Sequence, residues 1–283
     1  MKAERAARRF PLVARAWRVA LGGALVLVAS TVACKGQSVS ARSNFVEDGV
    51  QQVAAMPWNG ERIEIDNAGV TAGGGLALSA TDTDRPVATA RMLAVADTTD
   101  KANADLTITA ATQTFTIATT AGVTSVRCAH GTPNGSADAA ESGCDALDVS
   151  VPTGTTDRRI AVAARSGNGK VGVAFDGAQV GELTLSASHG TIDVKTATTQ
   201  GAVITVVSET GDDVTLRLPP DFQADSIMLD GAADKIDTSA FADVKNGSGR
   251  GQPGAGAKLI TVRSTALDGG TSGRIVLVPL VAQ

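Results

Sequence analysis

The feature that most constrains this chain is a short unit that recurs through its middle: a turn glycine followed by a run with apolar residues two apart. It reads Gly181-Glu182-Leu183-Thr184-Leu185, Gly190-Thr191-Ile192-Asp193-Val194, Gly201-Ala202-Val203-Ile204-Thr205-Val206 and Gly211-Asp212-Asp213-Val214-Thr215-Leu216, with the glycines 9, 11 and 10 residues apart. It returns as Gly256-Ala257-Lys258-Leu259-Ile260-Thr261-Val262 and Gly273-Arg274-Ile275-Val276-Leu277-Val278. Apolar residues at every second position put one side of a strand against a core. So short a unit cannot bury that side alone. It must stack on its neighbours, and a stacking unit of near-constant period makes a solenoid. Strands then lie about 4.8 Å apart and their inward residues form continuous rows. The uneven spacing leaves a β-sandwich of short strands as the alternative.

The same alternation marks Arg62-Ile63-Glu64-Ile65-Asp66, Leu76-Ala77-Leu78, Leu106-Thr107-Ile108, Leu147-Asp148-Val149-Ser150-Val151, Ile160-Ala161-Val162 and Lys170-Val171-Gly172-Val173. Asn59-Gly60, Asn134-Gly135, Asn168-Gly169 and Asn246-Gly247 supply turns. Aromatic residues are 3% of the chain and tyrosine is absent. A thin core of Val, Ile, Leu and Ala suits that composition, and a wide core filled by large rings does not. The expected fold is all-β: a single-domain β-solenoid or β-helix-like stack over 58–283.

Residues 1–18 are basic and 19–33 form an uncharged, largely apolar run. Fifteen residues fall short of the roughly 20 a membrane-spanning helix needs, and the pattern is that of a secretory signal peptide, 1–33. It ends in Thr31-Val32-Ala33-Cys34, which resembles the bacterial lipobox, although Thr31 stands where leucine is preferred. Cys34 is therefore the expected lipidation site and membrane anchor. Ordinary cleavage after Ala33 is the plainer reading. Residues 34–57 read as a polar tether with room for a short helix around Val46–Ala55. The leader holds six of the 25 basic side chains and one of the 29 acidic ones, leaving 19 against 28, a net charge of −9. That balance argues against nucleic acid and against docking on anionic lipid by charge.

The chain has three cysteines. Cys128 and Cys144 flank a loop rich in turn formers, and export permits a disulfide there. Cys34 is then the odd one. A zinc site of Cys128, His130 and Cys144 is the sharper alternative, but it lacks a fourth ligand and paired spacing. His189 precedes a turn glycine and reads as an exposed turn residue. Gly167-Asn168-Gly169-Lys170 lacks the leading glycine and the Ser or Thr of a phosphate loop and reads as a hairpin turn. Asp82, Asp84, Asp97, Asp100, Asp105, Asp212 and Asp213 sit in turn-like stretches. Oxygen-rich turns can hold calcium, but none has a calcium-loop spacing, so solvated turns are expected. No catalytic residue, metal or cofactor is identified.

The runs Leu147-Asp148-Val149-Ser150-Val151-Pro152-Thr153-Gly154, Arg165-Ser166-Gly167-Asn168-Gly169-Lys170-Val171, Gly211 to Asp221, Leu259-Ile260-Thr261-Val262 and Gly273-Arg274-Ile275-Val276-Leu277 together resemble the bacterial putative-adhesin family, a family of unknown function built as a β-solenoid. The resemblance covers roughly 60–280 and is densest over 145–280; the 128–144 loop looks like an insertion. It implies an envelope protein with an elongated β surface and no catalytic residues to carry over. The expected function is thus a non-catalytic cell-envelope lipoprotein that adheres to, or binds, an unknown protein or surface glycan partner. The alternatives are a periplasmic accessory in envelope-stress signalling and, last, a polysaccharide-active β-helix enzyme with paired carboxylates.

Overall fold

The structure, a computed structural model, describes residues 38–39, 46–55, 62–68, 75–82, 87–96, 115–129, 139–155, 159–266 and 270–281. Residues 1–33, the expected signal peptide, and Cys34 lie outside these. The described residues are all-β, without an α-helix. They form a ten-stranded and a nine-stranded sheet. Two strands precede the repeats: β1 (Ser38–Val39) and β2 (Val46–Ala55). Val46–Ala55 is therefore strand and not helix. All ten residues of β2 are partnered in an antiparallel ladder with β5 (Val87–Ala96).

From β3 (Arg62–Asn67) onward the chain passes repeatedly from the nine-stranded sheet to the ten-stranded one. Each crossing makes one flattened coil: β3 with β4 (Gly75–Thr81), β7 (Val123–Cys128) with β8 (Ala139–Pro152), β9 (Ile160–Ser166) with β10 (Val171–Phe175), and β11 (Val180–Ala187) with β12 (Ile192–Thr196). The series continues with β13 (Val203–Ser208) and β14 (Val214–Leu218), β15 (Ala224–Asp230) and β16 (Ile236–Asp237), and β18 (Leu259–Ser264) and β19 (Ile275–Pro279). Neighbouring coils pair in parallel on both sheets.

The coils do not stack in chain order. Numbered by sequence, they lie 2-1-3-4-5-7-6, because β3 sits between β7 and β9, and β18 between β13 and β15. The first and last coils of the chain are thus both internal. Antiparallel strands finish the ends. β6 (Phe115–Thr120) lies on β7, β17 (Ser248–Arg250) lies on β15, and β5 joins β8 to β2. The expected stack is present, but at each end one neighbour comes from further along the sequence.

Burial follows the alternation. β12 and β14 each read buried, half-buried, buried, half-buried, buried. In the ten-stranded sheet Leu147, Leu76, Val171, Ile192, Val214 and Ile275 form one inward row. In the nine-stranded sheet Ile63, Val162, Leu183, Ile204, Ile260 and Ile227 form another. All twelve are at most 2% exposed. Sheets packed face to face stand about 10 Å apart, a gap that branched aliphatic side chains fill from both sides. That is why the stack needs so few rings. Two repeat glycines are fixed by the turns. Gly190 has φ +99°, and a Cβ there would lie 2.1 Å from the Gly169 carbonyl oxygen; Gly211 has φ +77°, and its Cβ would lie 2.2 Å from that of Thr271.

Candidate interaction surface

Each coil strand of the nine-stranded sheet ends at an arch that carries the chain to the other sheet. The last inward row there is mostly polar: Cys128, Asn67, Ser166, Ala187, Ser208 and Ser264. These residues are buried and serve the arches. The Ser166 hydroxyl donates to the Asn168 carbonyl (2.9 Å), Ser208 accepts from the Asp212 N–H (2.7 Å), and Ser264 donates to the Asp212 carbonyl (2.7 Å) while accepting from the Gly273 N–H (3.1 Å). In the coil of β7 and β8, a disulfide between Cys128 and Cys144 takes this place, with Cα atoms 5.9 Å apart. The two sulfurs are joined to each other in this structure. His130 lies outside the described residues.

The acidic turn Asp212-Asp213 ties coils together. The Asp212 carboxylate accepts from the Gly190 N–H (2.8 Å) and the Thr210 hydroxyl (2.8 Å), and Asp213 accepts from the Arg274 N–H (2.7 Å). Asp82 is exposed at the end of β4, whereas Asp84, Asp97, Asp100 and Asp105 lie outside the described residues. Among the described residues no group of three metal-ligating side chains comes together. His189 is exposed in its turn. Gly167-Asn168-Gly169-Lys170 is an arch between sheets and not a hairpin: β9 and β10 belong to different sheets, so the turn crosses the stack.

The outward face of the nine-stranded sheet carries the most ordered set of polar side chains. One outward row runs Arg127, Asp66, Arg165, Ser186, Val207, Arg263 and Asp230. Arg127 meets Asp66 at 3.3 Å and Arg263 meets Asp230 at 3.0 Å. Arg62 donates to Glu64 of its own strand (3.1 Å) and reaches over Ala161 to Glu182, two strands away, at 2.8 Å. Further along the same strands, where Ala163 of β9 is small, a shallow depression of about 390 Å³ opens. Ala163 forms part of its floor, Glu64, Asp66, Arg127 and Arg165 wall it, and Ser125, Thr184 and Ser186 add hydroxyls. Arg127 and Arg165 flank Asp66, and their side chains stay 67% and 62% exposed. Arg165 meets Glu209 at 3.9 Å.

The other sheet's outward face is plainer. Ala77, Ser79, Gly172 and Ala174 give it small side chains, Ala77 and Ser79 line a depression of about 280 Å³, and Asp193 holds Arg217 by two hydrogen bonds of 3.0 and 3.3 Å. That pairing raises the guanidinium pKa above its ordinary value, hydrogen bonding outweighing desolvation. At the β15 end, Arg250 lies over the Phe222 ring (4.4 Å from the centroid) and the Phe241 ring (5.1 Å). It donates to the carbonyls of Phe222 and Pro220 and to Asp243. Its bond to Asp243 holds that carboxyl below the usual range. This cluster closes the end of the core.

Alternation identifies Glu64 and Asp66 as outward residues. Their arginine partners do not follow from the sequence, because Arg62 and Glu182 stand 120 residues apart and meet through the order of the coils. Comparison with known proteins bears on the fold. No protein-family model matches the chain, and no curated protein matches it. Among solved structures it is similar to a putative cell adhesion protein from Clostridium sporogenes, at 8% sequence identity and a TM-score of 0.50, over 81% of this chain and 99% of that one. At that identity the likeness is one of fold.

Proposed function

We propose that this is a non-catalytic protein of the bacterial cell envelope, of the putative-adhesin type, held to a membrane by a lipid on Cys34 and presenting its stacked body to a protein or glycan partner. The observation that carries the reading is the outward face of the nine-stranded sheet. Arg127 and Arg165 are exposed on either side of Asp66, above a shallow floor with hydroxyls around it. Contact surfaces use charge to select and orient a partner, and arginine is the cation best suited to that task. Several carboxylates on this face, namely Glu64, Asp66, Glu182 and Asp230, are engaged by arginine. A glycosidase needs an uncommitted pair flanking its substrate. The fold likeness to a protein named for cell adhesion points the same way.

The test is retention of cells on glycan-coated and protein-coated surfaces. Cells carrying Arg127→Glu with Arg165→Glu should fall to the level of cells lacking the protein, while Arg217→Ala on the opposite face leaves retention unchanged. Equal retention by the double variant and the wild type refutes the assignment of this face.

A further inference from the structure

The two sheets have four edges among the described residues, and three are blunted by length or by sequence. β16 has two residues and β17 three, and β1 covers only Val46 and Glu47 of β2, whose remaining length carries the charge of Asp48 and the break of Gly49. Short edge strands are one way proteins avoid pairing with other chains. The fourth edge is β6, which departs from that pattern. It is six residues long, Phe115-Thr116-Ile117-Ala118-Thr119-Thr120, with no charge, no proline and no glycine, and four of the six are β-branched. It pairs with β7 along one side only. Thr116, Ala118, Thr119 and Thr120 are exposed. Phe115 and Ile117 pack against the core yet stay only partly buried. The edge thus offers free backbone groups together with the unfinished end of a hydrophobic row.

We infer that β6 is the pairing edge for a second copy of this chain, joined β6 to β6 in antiparallel about Ile117. The strand suits its own copy. In that register Ile117 faces Ile117, Phe115 faces Thr119, and Thr116 faces Ala118. The first two kinds of contact are the aromatic and β-branched cross-strand pairs that stabilise sheets, and no like charges meet. The ladder between β6 and β7 is already antiparallel, so the added strand continues it and joins two nine-stranded sheets through a two-fold axis. The partner-binding face proposed above reaches this edge, because Thr116 and Ala118 are the cross-strand partners of Arg127 and Ser125, but the pairing rests on the β6 backbone and is read by mass, so it stands or falls apart from that reading.

Sedimentation velocity on the full chain in non-ionic detergent, with the detergent density-matched, reads the result. The wild type should sediment at twice the chain mass. Thr116→Lys with Ala118→Lys sets lysines opposite one another across the axis and should shift the protein to monomer. Thr116→Lys with Ala118→Glu sets opposite charges across it and should restore the dimer. Both positions are exposed, so far-UV circular dichroism should match the wild type throughout. A monomeric wild type overturns the inference, as does a double-lysine variant that remains dimeric. If the lysine–glutamate variant stays monomeric, the antiparallel register about Ile117 is wrong. Dimers that appear only when an unrelated protein is present assign the edge to another partner and also overturn it.

Discussion

Ile204, Ile260 and Ile227 are buried in one inward row, and the order of the coils decides which of them touch. Ile260 is the strand-to-strand partner of both Ile204 and Ile227, whereas Ile204 and Ile227 are separated by the whole of β18. Across two strand spacings the separation is about 9.6 Å. Truncating any one of these side chains to alanine removes a fully buried isoleucine and should cost about 2–5 kcal/mol. Pairs in contact couple by about 0.5–3 kcal/mol, and pairs beyond about 7–10 Å add to within about 0.5 kcal/mol. Double-mutant cycles should therefore give coupling for Ile204→Ala with Ile260→Ala and for Ile227→Ala with Ile260→Ala, and near-additivity for Ile204→Ala with Ile227→Ala. The assay is urea unfolding followed by far-UV circular dichroism with the disulfide intact, on variants that unfold in a single transition. A stack built in chain order would place β15 beside β13 and reverse the pattern. Coupling between Ile204 and Ile227 that exceeds the coupling between Ile204 and Ile260 would refute the interleaved order.

Other outcomes follow from the arches and the end cluster. Replacing Cys128 and Cys144 together by serine should lower stability by about 3 kcal/mol in the chain-entropy model for a loop of this size, read as the shift in urea midpoint between variant and wild type under oxidising conditions. Ser264→Ala leaves the Gly273 N–H and the Asp212 carbonyl without their hydroxyl partner and should cost about 1–3 kcal/mol in the same assay. Asp243 has a folded pKa below its unfolded one, so its bond to Arg250 contributes stability above the ordinary carboxylate pKa and loses it as pH falls through the depressed value. Asp243→Asn should therefore flatten the acid limb of the stability–pH curve and leave its high-pH limb unchanged; an unaltered acid limb contradicts this.

Period-two alternation was enough to place β3, β4, β9 and β10, because a strand with one buried face must alternate whatever it pairs with. The glycine spacing marked the turns for a related reason: Gly190 and Gly211 sit where a side chain would strike the neighbouring coil's backbone. The order of the coils was not legible. Nothing local in Leu259–Ser264 says that it slips between β13 and β15, since its apolar face fits any slot in the stack. The same holds for the Arg62–Glu182 and Arg127–Asp66 pairs, which depend on that order. Val46–Ala55 carried a polar, weakly patterned sequence that admitted a helix, and its long antiparallel ladder with β5 decides it as strand. The Arg250 cluster is not legible in the sequence, because Phe222, Phe241 and Arg250 are separated along the chain and meet only where the stack is closed.

The most direct test of the proposed role is protease shaving of intact cells, with mass spectrometry of the released peptides and lysed cells as the control. A surface-displayed contact protein predicts peptides from 62–281 released from intact cells. If those peptides appear only after lysis, the body faces the periplasm and the adhesion reading is wrong.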